Sequence, residues 1–170
     1  MVAKLLSTHI GLQETVSATT RSPRPDEISG RDYYFLSSEE FDHKLRDGEF
    51  LEHERVFGNL YGTLKDEVER KLKQSSLLLE LDTKGAFTIR NVFKENSVLI
   101  FVSVPSIEEL KKRLESRKTE PLEIIERRLK KVAEEIEDSK RFDYVVLNDK
   151  MDKAYKELEA IINKERGQGF

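Results

Sequence analysis

Three short apolar runs, separated by segments with helical periodicity, constrain the fold most strongly. They are LLLEL at 77–81, VLIFVSV at 98–104 and YVVLN at 144–148. Nearly continuous apolar strands of this length are typical of a parallel sheet with helices on both faces. We therefore predict a three-layer α/β fold in which these strands are buried on both sides.

The segments after these runs have the periodicity of amphipathic helices. Residues 106–117 begin with Ser106 and Glu109, which have the spacing of a capping box. Apolar residues recur at helical intervals within 121–142, and 151–165 form a further amphipathic pattern. Strands and helices that alternate in this way predict βα units.

The segment 32–64 has a different pattern. Residues 33–37 and 50–57 resemble strands, a short helical pattern at 38–48 separates them, and the turn-like GNLYGT follows at 58–63. We predict that 32–64 forms a small mixed α+β insertion carried on the α/β core.

Composition excludes several classes of protein. A net charge of −3 argues against general nucleic-acid binding, and no apolar run approaches the roughly 18 residues of a membrane helix. The chain has no cysteine, and its 3 histidines are scattered, so we predict no resident metal site. A single domain over 1–170, without a signal peptide and located in the cytoplasm, is the expectation.

The stretch VSATTRSPRPDEISGRDYYF, residues 16–35, has the composition of an anion-binding loop. Arg21 and Arg24 offer planar donor groups suited to phosphate or carboxylate, and Ser17 adds a hydroxyl. Pro23, between the two arginines, and Pro25, just after them, reduce the entropy lost when the loop is fixed. The alternative is a solvated turn whose arginines pair with nearby carboxylates, namely Asp26, Glu27 or Asp32.

The predicted insertion contains a second polar set: Tyr33, Glu52, Tyr61 and Thr63. A carboxylate such as Glu52 can accept hydrogen bonds from an N–H edge like that of guanine, and phenols can donate to phosphate. Alternatively, the aromatic residues belong to the core and Glu52 faces outward from an edge strand.

Acidic residues follow the first apolar run. Glu80 and Asp82 lie where α/β proteins place ligands, at the carboxyl end of a parallel strand. They can contact Mg²⁺ through water, or accept a hydrogen bond from a ribose or base. For Asp82, capping of a helix over 83–93 is the structural alternative.

Arginines are concentrated around a break in the helical pattern at 119–121. Arg113, Arg117, Arg127 and Arg128 can close over a polyphosphate and neutralise charge during phosphoryl transfer. A charged helix face with i,i+4 ion pairs is the alternative.

Taken in order, TTRSPRPDEISGRDYYF, FLEHERVFGNLYGT, LLLELDTKGA, SRKTE with RRL, and YVVLND closely resemble guanylate kinase. The resemblance spans essentially the whole chain. It implies a P-loop-kinase-like α/β core, a GMP-binding insertion at 32–64 and a helical lid at about 107–130. It also implies phosphoryl transfer from ATP to GMP or dGMP, with Mg²⁺.

The resemblance further implies a role for each matching residue. The residues that would bind the GMP phosphate are Ser17, Arg21, Arg24, Tyr33 and Tyr61. Those that would bind the guanine are Glu52, Thr63 and Asp82, and Glu80 matches the acidic position before Asp82 on the same strand. The lid arginines are Arg117 and Arg128, which with Arg21 and Arg24 stabilise the transferring charge; Asn148 lies near the adenosine.

Two of the departures from the family pattern concern the charge beside the nucleotides and the binding of the ATP phosphates. Lys84 replaces the common glutamine and adds a positive charge beside the nucleotides. The 170 residues also contain no G-x-x-x-x-G-K-[ST] motif, and MVAKLLSTH resembles the helix that follows it. We therefore expect the chain to begin past that loop, with impaired catalysis and reduced stability.

A non-catalytic alternative follows from the same departure. Guanylate-kinase-like modules that bind GMP or phosphorylated peptides resemble this fold and lack a working phosphate loop. The guanine set of Glu52, Thr63 and Asp82 fits a peptide binder less well, because a peptide offers no guanine to recognise.

Overall fold

A computed structural model describes residues 1–56, 58–116 and 122–167 of the protein. It divides the chain into two compact units, Val2–Val92 and Phe93–Phe170, and Met1 belongs to the second. Among the described residues, no helix has both the length and the apolar character needed to cross a bilayer.

The first unit contains two sheets. Its elements in chain order are α1 (Val2–Thr8), β1 (Leu12–Glu14), β2 (Ala18–Thr19), β3 (Tyr34–Phe35), α2 (Ser38–Arg46), β4 (Phe50–Val56), β5 (Asn59–Leu64), α3 (Lys65–Leu72), β6 (Ser76–Leu78) and α4 (Thr83–Phe93). Strands β1 and β6 pair in parallel, and the other sheet has the order β3-β2-β5-β4. In that sheet β2 and β3 are parallel, whereas β2–β5 and β4–β5 are antiparallel.

The four-stranded sheet has the mixed character predicted for the insertion, but its limits differ. It includes Ala18–Thr19, which precede 32–64. The segment 58–63, which has the sequence of a turn, lies mostly within β5, the second strand of a hairpin. Strand β4 therefore gains a full antiparallel partner, which the turn residues alone did not indicate.

One face of this sheet forms a small apolar core under α2. Ala18 and Phe41 are fully buried, Phe50 and Leu60 nearly so, and the rings of Phe41 and Phe50 stack at 4.3 Å. Gly62 permits this packing, because a Cβ there would lie 2.7 Å from Cδ1 of Phe50. Any side chain at that position would displace the ring from the core.

The second unit alternates helices and parallel strands. It contains β7 (Ile100–Ser103), α5 (Ile107–Ser116), α6 (Leu122–Asp138), β8 (Tyr144–Leu147) and α7 (Met151–Gly167), with single 3₁₀ turns at Lys94–Asn96 and Ser139–Arg141. Strands β7 and β8 pair in parallel, and α7 packs Ala154 and Ile161 against the buried Val146. The backbone N–H of Glu109 donates to Ser106 Oγ at 3.1 Å, as the cap at the start of α5 predicts.

The α/β class and the positions of these helices are confirmed, but the predicted burial of the strands is wrong. Val102, Val145 and Leu147 are 45%, 49% and 40% exposed. Within the described residues β7 and β8 pair only with each other. Apolar side chains of these two strands therefore stay exposed, whereas strands inside a larger parallel sheet are covered on both faces.

Candidate nucleotide site

A β-bulge at the start of the hairpin separates core residues from site residues. Phe50 pairs with Leu64 but Glu52 pairs with Thr63, so Leu51 is an extra residue on β4. Strict alternation from Phe50 would give Glu52 the same face. The bulge reverses this, and Phe50 enters the core while Glu52 faces the opposite side beside Thr63.

Hairpin register places four polar side chains on that opposite face. Glu52 lies across from Thr63, and Glu54 lies across from Tyr61. Thr63 is fully buried, and its hydroxyl donates to Glu52 Oε1 at 2.5 Å. One carboxylate oxygen of Glu52 is therefore held by its own hairpin.

The second carboxylate oxygen of Glu52, Oε2, lies beside Gly85. A Cβ at Gly85 in the first turn of α4 would lie 3.0 Å from Glu52 Oε2. Burial raises the pKa of Glu52, the hydrogen bond from Thr63 opposes that rise, and the charge of Asp82 adds to it. The folded protein thus holds a carboxylate that favours a partner able to donate hydrogen bonds.

Asp82 caps helix α4. Its Oδ1 accepts a hydrogen bond from the backbone N–H of Gly85 at 2.9 Å, so the structural alternative for this residue is confirmed. The cap fixes Asp82 close enough to influence the pKa of Glu52. Its predicted contact with guanine stays a prediction.

Glu80 lies beyond the end of β6, which stops at Leu78. Its charge contributes to raising the pKa of Glu14, an effect that is mainly due to burial. Glu14 ends β1, the parallel partner of β6, so both acidic residues lie at the carboxyl edge of one sheet. Sequence reasoning missed Glu14 because a polar strand of this length carries no apolar pattern.

Two threonines join the arginine loop to the hairpin. The Thr19 hydroxyl donates to the carbonyl of Leu60 at 2.9 Å and accepts from the backbone N–H of Arg21 at 3.1 Å. The Thr20 hydroxyl accepts from the N–H of Leu60 at 2.9 Å. Arg21 therefore begins its loop beside β5.

The loop places an internal carboxylate against both arginines. Nη2 of Arg21 donates to both carboxylate oxygens of Glu27, at 2.8 and 3.0 Å. The backbone N–H of Arg24 donates to Glu27 Oε2 at 2.7 Å, whereas the Arg24 guanidinium lies 3.9 Å from Oε1. These contacts hold the pKa of Glu27 below its usual range.

Glu27 thus confirms the alternative in which the arginines pair with a carboxylate of their own loop. Binding of a phosphate by Arg21 and Arg24 stays a prediction, because the acceptor in these contacts belongs to the loop itself.

Aromatic residues surround Arg21. Its Cζ lies 5.4 Å from the ring centroid of Tyr33 and 5.8 Å from that of Phe35. Tyr33 and Tyr61 make an edge contact at 6.0 Å. The hydrogen bond with Glu27 raises the pKa of Arg21, and a hydrogen bond with Tyr61 adds to that rise. The structure therefore brings Arg21, Tyr33 and Tyr61 together, as the sequence predicts.

Ser17 and Arg24 were also predicted to contact the phosphate. Ser17 precedes β2, and its carbonyl accepts from the N–H of Tyr34 at 2.9 Å. The Arg24 side chain is 60% exposed. Their proposed contacts with phosphate stay predictions.

Asn148, one of the residues predicted to bind ATP, lies in the second unit. The N–H of Asn148 donates to the carbonyl of Ser103 at 2.8 Å, and its carbonyl accepts from Arg113 Nη1 at 3.0 Å. Arg113 also donates to Glu109 Oε1 at 3.0 Å, the i,i+4 pair of the alternative reading. Arg117 and the side chain of Arg128 lie outside what the structure describes.

Among the described residues, no group of 3 or more His, Asp or Glu side chains is arranged to hold a metal ion.

Comparison with known proteins gives a consistent result. The family model "Guanylate kinase" matches residues 1–165. The guanylate kinase of Wolbachia pipientis wMel is 42% identical over 165 residues, which cover 96% of this chain and 82% of that protein. That of Fusobacterium nucleatum is 42% identical over 162 residues, covering 95% and 87%.

A solved structure agrees with these sequence matches. The crystal structure of guanylate kinase from Anaplasma phagocytophilum superposes with a TM-score of 0.79 at 35% sequence identity. The match covers 96% of this chain and 79% of that one.

Proposed function

Because the chain belongs to the guanylate kinase family, we propose that it transfers the γ-phosphoryl group of ATP to GMP, giving ADP and GDP. One observation carries the proposal for the acceptor side. A single hairpin face holds the Glu52–Thr63 pair, and two residues along β5 from Thr63, Tyr61 lies beside Arg21. GMP has the matching order: a donor edge on the base, then ribose, then phosphate.

Glu52 recognises the base in this proposal. Guanine presents its N1–H and its 2-amino group as donors, and the carboxylate accepts from both. Adenine presents an unprotonated N1, whose lone pair would face the carboxylate oxygens. Partial burial of Glu52 strengthens this discrimination, because an unmatched charged acceptor is more costly where less water can solvate it.

Arg21 binds the phosphate with the help of the two phenols. Glu27 accepts from Nη2 of Arg21, and the carbonyl of Ser22 accepts from Nη1 at 2.8 Å, so the guanidinium is only partly engaged, and the aromatic rings limit its movement. The remaining N–H groups, together with Tyr33 and Tyr61, supply donors for a phosphate. Ser17 and Arg24 complete the proposed phosphate contacts.

Catalysis rests on positioning and charge neutralisation. A phosphate oxygen of GMP attacks the γ-phosphorus of ATP as the bond to the leaving oxygen of ADP breaks, so no protein nucleophile is required. Arg21 and Arg24 hold the acceptor phosphate. Arg117 and Arg128 neutralise charge on the transferring group, and Asn148 lies near the adenosine.

Mg²⁺ would enter with ATP, held mainly by phosphate oxygens and water. Glu80 and Asp82 are hard oxygen donors, and they fit contact with Mg²⁺ through water. When bound, the ion supplies charge neutralisation on the donor phosphates. The proposal places this reaction in the cytoplasm.

A phosphopeptide-binding module is the less favoured function. The relatives compared above are named as kinases, and the partly buried Glu52–Thr63 pair has no evident use for a phosphopeptide.

Two measurements test the proposed function. ADP formation from Mg·ATP, with and without GMP, measures transfer, and calorimetry measures GMP and guanosine binding. Arg21→Ala should weaken GMP binding by roughly 10- to 100-fold, because charge-assisted hydrogen bonds are lost, and leave guanosine binding unchanged.

Arg46→Ala, on the exposed side of α2, is the matched control and should change neither affinity. The proposed function fails if the wild-type protein neither binds GMP nor consumes ATP in its presence. Turnover at a rate typical of kinases would overturn the expectation of impaired catalysis.

A further inference from the structure

A second acidic residue lies on the same hairpin face as Glu52 and has its own cationic partner. Glu54 follows Glu52 by two residues on β4 and lies across from Tyr61. Nζ of Lys84, in the first turn of α4, is 3.6 Å from Glu54 Oε1. The Glu54 side chain is 29% exposed and that of Lys84 is 69% exposed, so solvent or a ligand can reach both.

The position of this pair follows from the two ends of the proposed site. Successive residues on one face of a strand are about 7 Å apart, so Glu54 lies one such step from Glu52 toward the Tyr61 end. Between the base and the phosphate, GMP has only its ribose. This placement rests on the proposed function, because it uses Glu52 and Tyr61 as the base and phosphate ends.

We propose that the Glu54–Lys84 pair recognises the ribose 2′-hydroxyl, so that the protein binds GMP more tightly than dGMP. A hydroxyl both donates and accepts. It donates to the Glu54 carboxylate and accepts from the Lys84 ammonium, whereas the 2′-hydrogens of dGMP do neither.

Lys84 has a second effect in this arrangement. A carboxylate across from Tyr61 lies toward the phosphate and repels it. The ammonium of Lys84 offsets that repulsion, so the protein retains an acceptor for the sugar without a net negative charge beside the phosphate. A surface ion pair formed for stability alone would contribute little.

Calorimetric titration of the full chain with GMP and with dGMP tests the inference. For the wild type, the dissociation constant of dGMP should exceed that of GMP by roughly two- to tenfold, the value of one hydrogen-bonding group. In Glu54→Ala the ratio should fall to about one, with dGMP affinity retained. In Lys84→Ala both nucleotides should bind more weakly.

Controls separate this effect from general damage. Glu69→Ala removes an exposed carboxylate from α3 in the same unit and should leave the ratio unchanged. Glu54→Gln keeps an acceptor oxygen and should retain part of the preference, which tests the proposal even if Glu54→Ala folds poorly.

The outcomes are distinct. Equal binding of GMP and dGMP by the wild type overturns the inference, and so does a preference that survives in Glu54→Ala. Both of those results leave the proposed function intact, since GMP still binds. If the wild type binds neither nucleotide, the proposed function itself fails.

Discussion

Two carboxylates of the first unit, Glu52 and Glu27, differ in how the protein holds them. Glu52 is paired with a hydroxyl from Thr63, and burial raises its pKa. Glu27 is paired with the guanidinium of Arg21 and with a backbone N–H, and these contacts lower its pKa. Packing thus defines the proposed base end of the site, and charge pairing defines the proposed phosphate end.

This difference gives the two residues opposite effects on stability. A carboxylate with a raised pKa destabilises the folded state once the pH is high enough to ionise it. A carboxylate with a lowered pKa stabilises the folded state at those same pH values, and this contribution is lost as the pH falls through its folded-state pKa. Ionised Glu52 therefore lowers stability, as expected of a residue that serves binding, whereas Glu27 also supports its loop.

The largest expected effect comes from Glu52→Gln. Its amide replaces one charged acceptor oxygen with an NH₂ donor, so GMP affinity should fall on the order of 100-fold. The same variant should be more stable than wild type at about pH 7, because the cost of ionising a buried group is removed. That gain should vanish as the pH falls below the unfolded-state pKa of glutamate. Calorimetry and urea denaturation at several pH values measure both effects.

Glu69→Gln provides the control for Glu52→Gln, since it removes a charge from an exposed helix position. Unchanged GMP affinity in Glu52→Gln would exclude Glu52 as the base reader. If Glu52→Gln were less stable than wild type at neutral pH, the stabilisation expected from the raised pKa of Glu52 would be contradicted.

The base end was only partly predictable from the sequence, and the bulge at Leu51 is the reason. The motif resemblance identified Glu52 and Thr63, and the alternative had Glu52 facing outward, but alternation from Phe50 without a bulge would put Glu52 on the core face. The extra residue in β4 moves it to the other face. Such a bulge depends on how the completed hairpin packs its aromatic residues, which local propensity does not record.

At the phosphate end the sequence offered three carboxylates as partners for the arginines: Asp26, Glu27 and Asp32. The loop backbone selects among them, since Glu27 also accepts from the N–H of Arg24 and Asp32 from that of Ile28. The role of Gly85 was missed for a related reason. Its contact with Glu52 joins α4 to β4, and no local pattern indicates a contact between distant segments.

Gly85→Ala alters the surroundings of Glu52, at the proposed base end, and leaves the proposed phosphate end around Glu27 unchanged. The new Cβ would lie 3.0 Å from Glu52 Oε2 and 3.4 Å from Asp82 Oδ1, so the carboxylate has to shift. We expect GMP affinity to fall roughly tenfold, the value of about one hydrogen bond. Stability should change little, because alanine is favoured over glycine in a helix by up to about 1 kcal/mol, which offsets the strain.

Gly167→Ala, at the end of α7, is the matched control: among the described residues an added Cβ there would meet nothing within 4 Å, so GMP affinity should stay unchanged. Equal GMP affinity in Gly85→Ala and wild type would show that the space beside Glu52 is not needed for binding.

The smallest effect on GMP binding is expected from Glu27→Gln, which alters the ion pair with Arg21 at the proposed phosphate end. An amide oxygen still accepts from Arg21, so GMP affinity should change by less than about fivefold. Stability should nevertheless fall at neutral pH, the reverse of Glu52→Gln, because the carboxylate with the lowered pKa is removed. As the pH is lowered, Glu27→Gln should also lose less stability than wild type does.

Asp26→Asn removes a charge from the same loop without touching Arg21, and it should show neither change. If Glu27→Gln is as stable as wild type at neutral pH, then the loop does not depend on this ion pair and the contrast with Glu52 fails.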